Sequence, residues 1–259
     1  MTETSPASTS RRDPSLWTLL KCFFRCYLVG AAFNTRGLQN VGLAFSMEPG
    51  LRALYPDPAD LRRALEDRYL SLYNTHLFWT PLLVGVFLST EVKISRGALP
   101  AETLDKIRGA TAFTLSAIGD SFFGGAAMGV WALTAACLAV SGRYELLAAY
   151  ALFLLAAAQI FKLTTFFIGY REGFQVLKRV KRWNLVNWSR RVKIVNAGLL
   201  AFFWMFSRPL GADKAGFPWL DIGAVAILTL WCLARPRIRR EFLIIFVVVS
   251  GFTFAWLRI

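Results

Sequence analysis

Hydrophobic and polar positions fall into blocks along the chain, and the block lengths predict helices throughout. Residues 16–33, "LWTLLKCFFRCYLVGAAF", are apolar except for Thr18, Lys21 and Arg25, which share one helical face at i, i+3 and i+7. Such a stripe, with Trp17, Phe23 and Phe24 elsewhere, fits a helix lying flat in a membrane interface or a core helix with two snorkelling cations. Residues 56–75, "PDPADLRRALEDRYLSLYNT", start at a Pro/Asp turn with Asp60 as the expected N-cap. Leu61, Ala64, Leu65, Tyr69, Leu72 and Tyr73 form the apolar stripe of this amphipathic helix, which delivers Asn74 at its C-terminal end.

The apolar run Leu77–Leu88 that follows is shorter than the roughly 20 residues a crossing needs. With Pro81 and Gly85 permitting a bend and charge resuming at Glu91, it predicts a re-entrant hairpin over about 76–90. Five longer apolar stretches come next, at 111–140, 146–168, 194–210, 217–234 and 242–257. The expected fold is an all-α integral membrane protein with N-terminal amphipathic or interfacial helices, a re-entrant hairpin and about five membrane-crossing or broken helices. Its expected divisions are a disordered cytoplasmic tail (1–15), cytoplasmic and interfacial helices with the hairpin (16–109), and a transmembrane domain (110–259) with a basic cytoplasmic loop at 171–193.

Charge orients these stretches. The segment 171–193 carries Arg171, Lys178, Arg179, Lys181, Arg182, Arg190, Arg191 and Lys193 against the single acid Glu172, and "RPRIRR" follows at 235–240, whereas "GADKAG" at 211–216 is neutral. The positive-inside rule puts both basic segments and the N-terminus in the cytoplasm. A net charge of +14 then reads as topology beside anionic headgroups, and a nucleic-acid partner is not expected. The 56% hydrophobic content and a mean hydropathy of +0.46 agree with a bilayer protein.

Candidate chemistry is sparse. His76 is the one histidine, and Cys22, Cys26, Cys137 and Cys232 form no metal-like grouping with it; no metal and no cofactor is expected. No phosphate loop and no nucleophile elbow is present. The N-terminus lacks the basic start, apolar core and small-residue cleavage site of a cleavable signal. Asp120, in "AIGDSFFGGAAMG" (117–129), is a carboxylate within an apolar stretch. Gly119, Gly124 and Gly125 permit an unwound backbone there. Two readings stand open: an acid facing a sugar or ion, or an acid capping a half-helix N-terminus.

Four blocks, in order and spacing, carry a family resemblance. "LQNVGLAFSMEPGLRALYP" (38–56), "YNTHLFWTPLLVGVFLSTE" (73–91), "GDSFFGG" (119–125) and "FFIGYREGF" (166–174) resemble the D subunit, enzyme IID, of the mannose/fructose/sorbose family of bacterial phosphotransferase (PTS) sugar permeases. The resemblance runs from about Asn34 to Phe174 and implies a bacterial inner-membrane protein that pairs with enzyme IIC in a trimer of heterodimers. It also implies IIA and IIB phosphocarriers that phosphorylate an incoming hexose, the D subunit itself carrying no phosphoryl-transfer residue. The Asn of the family's NT(H/Q)P motif lies near the sugar, and here it is Asn74. The resemblance thus makes Asn74, Thr75, His76, Asp120, Ser121 and Gln39 the candidate substrate-binding residues, with no catalytic residue. This chain departs from the pattern where Leu77 replaces the motif proline and where Val92 and Lys93 follow Glu91 in place of an acidic run. A diverged, non-transporting scaffold or regulator of a phosphotransferase chain is the alternative function.

Overall fold

The computed structural model describes residues 13–206, with side chains through 203. Nine α-helices run through these residues, and the only β pairing among them is two isolated bridges, Asn34 with Leu38 and Leu38 with Tyr73. The apolar stretches at 217–234 and 242–257, the end of 194–210 and most of the N-terminal tail lie outside the described residues.

Helix α1 (Leu16–Arg25) starts where Ser15 accepts from Thr18 N–H at 3.2 Å, and it continues as a 3-10 turn, Cys26–Ala32. Leu19, Cys22, Phe23 and Cys26 are buried against α2 (Asn40–Leu54), whereas Trp17, Phe24 and Leu28 remain exposed. Arg25 has a structural task. Pro49 inside α2 cannot donate to the Phe45 carbonyl one turn back, and the Arg25 guanidinium fills that vacancy at 3.0 Å while pairing with Glu48 at 2.7 Å. Burial raises the Cys22 thiol to about 12, so it packs as an inert apolar group.

Helix α3 (Pro58–Tyr69) is capped by Asp57, not by Asp60. The Asp57 carboxylate accepts from Ala59 N–H at 2.7 Å. Pro58 suits the first helical position because its fixed φ is helical and no N–H is needed there, so the helix begins earlier than the apolar stripe suggests.

The expected hairpin at 76–90 is a single unbroken helix, α4 (Thr80–Ser95), with buried residues along its whole length. Pro81 lies in its first turn, where a missing N–H leaves no helical bond unmade. Gly85 does not bend the chain; it admits a neighbour. A Cβ there would lie 2.3 Å from the Phe166 carbonyl of α7 (Tyr144–Glu172), and one on Gly169 would lie 2.4 Å from the Leu82 carbonyl. The two glycines thus let α4 and α7 pack backbone on backbone. Near its other end α4 buries Glu91 completely, in hydrogen bonds from Arg68 (2.8 and 3.0 Å), Tyr69 (2.8 Å) and Tyr55 (2.9 Å). One carboxylate so ties α2 and α3 to α4.

Two long rods stand around this core. Helix α5 (Glu102–Gly119) passes through a π-helical segment, Asp120–Ala127, into α6 (Met128–Val140). After a turn at Gly142 (φ +68°), α7 runs through a 3-10 turn into α8 (Val176–Arg182). Glu102–Val140 and Tyr144–Arg182 are each 39 residues long and apolar enough to cross a membrane. They expose Phe113, Met128, Leu152, Phe153 and Ile160 outward, as lipid-facing helices do and core helices do not. Asn184 in the left-handed region (φ +51°) then starts α9 (Leu185–Phe206). The basic segment 171–193, expected as a loop, is therefore largely helical.

Candidate functional site

The chain from Leu70 to Trp79 links α3 to α4 and carries the NTH triplet. Its path is set by carboxamides at the start of α2. Leu38 (φ +59°) bridges to Tyr73, and Gln39 N–H donates to the Tyr73 carbonyl at 2.9 Å. The Gln39 side chain then grips Thr75 at both ends: its Nε2 donates to the Thr75 carbonyl (2.9 Å) and its Oε1 accepts from the Thr75 N–H (3.2 Å). Asn40 donates to the Leu70 carbonyl and accepts from Asn34 at 2.9 Å. The segment is extended, so side chains alternate in direction: Tyr73 and Thr75 point inward and Asn74 outward. Gln39, 7% exposed with its amide committed to Thr75, is a positioning residue.

His76 makes the turn into α4. Its carbonyl accepts from Trp79 N–H at 2.8 Å, and its Nδ1 accepts from Phe78 N–H at 3.3 Å. Accepting at Nδ1 requires that nitrogen to be unprotonated, which leaves the proton of the neutral ring on Nε2. Burial pushes the His76 pKa below its usual range, Asp120 opposes the shift and Lys162 adds to it. The ring stacks on Phe123 at 5.5 Å, and Phe123 stacks on Phe78 at 4.6 Å.

The second block meets the first here. Gly119 packs against His76 so closely that a Cβ would lie 2.3 Å from the His76 Cβ and 3.0 Å from Trp79 Cδ1. Asp120, the next residue, is exposed beside the imidazole. The backbone there is neither unwound nor capped: Asp120 has helical angles (φ −61°, ψ −42°) and opens the π-helical segment. Widening to i→i+5 loosens the backbone ladder, and α9 supplies replacement donors. Ser189 Oγ donates to the Ser121 carbonyl at 2.8 Å, and Asn196 Nδ2 donates to the Ala126 carbonyl at 2.9 Å. The Ser121 hydroxyl lies 3.0 Å from that of Ser189, so Ser121 is held by α9 and not by the NTH segment.

The structure thus brings Asn74, Thr75, His76 and Asp120 to one region, with Gln39 beneath it and Ser121 turned away. It also holds polar atoms with no partner among the described residues: the hydroxyls of Tyr73, Thr75 and Thr80 and the Trp79 indole N–H, all buried. Sequence reasoning missed Lys162 and Gln159. Both lie within the apolar stretch 146–168, and polar residues inside such a stretch are themselves the signal. Lys162 Nζ sits 4.9 Å from the Phe78 ring, at the edge of the same region.

The family model described as "PTS system mannose/fructose/sorbose family IID component" matches residues 16–201. The mannose-specific EIID component of Escherichia coli strain K12 is 30% identical over 161 residues, 60% of this chain and 56% of that protein. The sorbose-specific EIID component of Klebsiella pneumoniae is 28% identical, over 48% of this chain and 46% of that protein. The chain spans about half the length of the curated relatives it matches. Among solved structures, one described as "Structure of membrane protein" shares the fold at a TM-score of 0.71 and 21% identity, covering 93% of this chain and 97% of that one. The mannose transporter ManYZ, in complex with microcin E492, gives a TM-score of 0.57 at 23% identity, covering 92% and 95%. With the matched model spanning most of the chain, the protein belongs to the IID component family of the mannose/fructose/sorbose phosphotransferase systems.

Proposed function

We propose that this chain is the IID membrane subunit of a PTS sugar permease, forming the sugar translocation path with a IIC subunit in the bacterial inner membrane, its N-terminus cytoplasmic. IIA and IIB phosphocarriers would couple uptake to phosphorylation of a hexose-type sugar, and the membrane part would assemble as a trimer of IIC–IID heterodimers. One observation carries the reading: Gly119, which precedes the exposed Asp120, packs against His76 of the segment that carries the outward-facing Asn74.

The chemistry suits a polyol. The Asn74 carboxamide offers two donors and an acceptor without the desolvation cost of a charge. Asp120 accepts, and the neutral His76 ring offers its Nε2–H. Gln39 holds Thr75 in place, and Ser121 helps to fix the π-helical segment. His76 then orients the site, its Nδ1 accepting from the Phe78 N–H, and carries no phosphate, as the family resemblance implies. In membranes holding the complete permease, Asn74→Ala abolishes phosphorylation-coupled sugar uptake while the complex with IIC remains assembled. Uptake at the wild-type rate removes Asn74 from the sugar site, and assembly without uptake in the wild type favours the scaffold function.

A further inference from the structure

Lys162, on α7, lies mid-way along the apolar span Tyr144–Arg182. Among the described residues no carboxylate comes within ion-pair reach of it. Its ammonium stands instead over two ring faces, Tyr27 at 4.6 Å and Phe78 at 4.9 Å. The Tyr27 hydroxyl donates to Gln159, which precedes Lys162 by three residues on the same face of α7, so the cage is itself anchored. Ring faces hold the charge in place but take no conventional hydrogen bond, and the N–H donors remain for another acceptor. A cation at this depth persists only where something polar meets it.

The cage opens toward the site already described. The Phe78 N–H is held by His76, and the Phe78 ring lies 5.8 Å from the imidazole and 4.6 Å from Phe123. Lys162 and Asp120, opposite charges on two different spans, both act on His76, yet they form no ion pair with each other. A donor-only cation and an acceptor-only anion, linked by stacked rings, match a neutral polyhydroxylated ligand whose hydroxyls both donate and accept.

We propose that Lys162 is a carbohydrate-binding residue, its ammonium donating to hydroxyls of the ligand that Asn74 and Asp120 engage from the other motifs. This rests on the sugar-permease reading above. The test is equilibrium binding of radiolabelled mannose, fructose and sorbose to the detergent-purified complex with its IIC partner, for the wild type, Lys162→Met, Lys162→Gln and Lys162→Arg. Lys162→Met and Lys162→Gln each weaken binding at least tenfold while the complex elutes unchanged on size exclusion, and Lys162→Arg, which keeps the charge, loses less than either. Binding unchanged in Lys162→Gln overturns the assignment while leaving the permease function intact. A wild-type complex that binds none of the three sugars overturns both.

Discussion

Replacing Glu91 by Gln isolates the buried charge that fixes α4. The carboxylate is fully buried and receives Arg68 at 2.8 and 3.0 Å, Tyr69 at 2.8 Å and Tyr55 at 2.9 Å. Glutamine keeps the shape but removes the charge opposite a guanidinium that is 13% exposed, and turns an acceptor into a donor facing other donors. Breaking one partner of a buried pair costs about 3–5 kcal/mol, because the other charge is left uncompensated. At about 2–4 °C per kcal/mol for a chain of this size, the midpoint of thermal unfolding falls by roughly 6–20 °C. The assay is tryptophan fluorescence of the detergent-solubilised protein on heating, with the double variant Arg68→Met/Glu91→Gln as the decisive control. Removing both charges recovers most of the loss, since a pair replaced by neutral groups of similar volume is near neutral in stability. A single variant within a degree of the wild type, or a double variant less stable than either single, refutes the ion pair as the anchor of α4.

Gly169→Ala places a Cβ 2.4 Å from the Leu82 carbonyl, and backbone cannot swing aside as a side chain can. About 1–3 kcal/mol of stability is lost, read as a lower melting midpoint, while alanine at the open Gly109 leaves the midpoint unchanged or raises it. His76 is held below its ordinary value of 6.5 by burial. The unfolded chain therefore binds the proton first, so stability is constant above pH 6.5 and falls as pH drops from there toward the folded pKa. Melting midpoints between pH 5 and 8 show this slope, and His76→Gln flattens it.

Helical character and the spans at 111–140 and 146–168 were legible in the sequence, because apolar block length carries that information directly. The hairpin was not. A short apolar run with Pro81 and Gly85 reads the same whether it dips into lipid or is enclosed on all sides, and only the approach of Phe166 and Gly169 decides between them. The Asp57 cap was obscured because Pro58 lengthens α3 beyond its apolar stripe. The structural task of Gln39 was hidden, since no pattern reveals that its amide is consumed by Thr75. The donors that α9 supplies to the π-helical segment, Ser189 and Asn196, lie more than sixty residues from their acceptors.

The central claim is that the Asn74 segment and the Asp120 segment form one sugar-binding site. A double-mutant cycle on sugar affinity, using Asn74→Ala, Asp120→Asn and the combination in the purified complex with IIC, measures it directly. Residues engaging one ligand in one network couple by about 0.5–3 kcal/mol, so the double variant departs from the sum of the singles by at least twofold in Kd. Two single effects that add without residue, or an Asp120→Asn affinity equal to the wild type, would contradict a shared site.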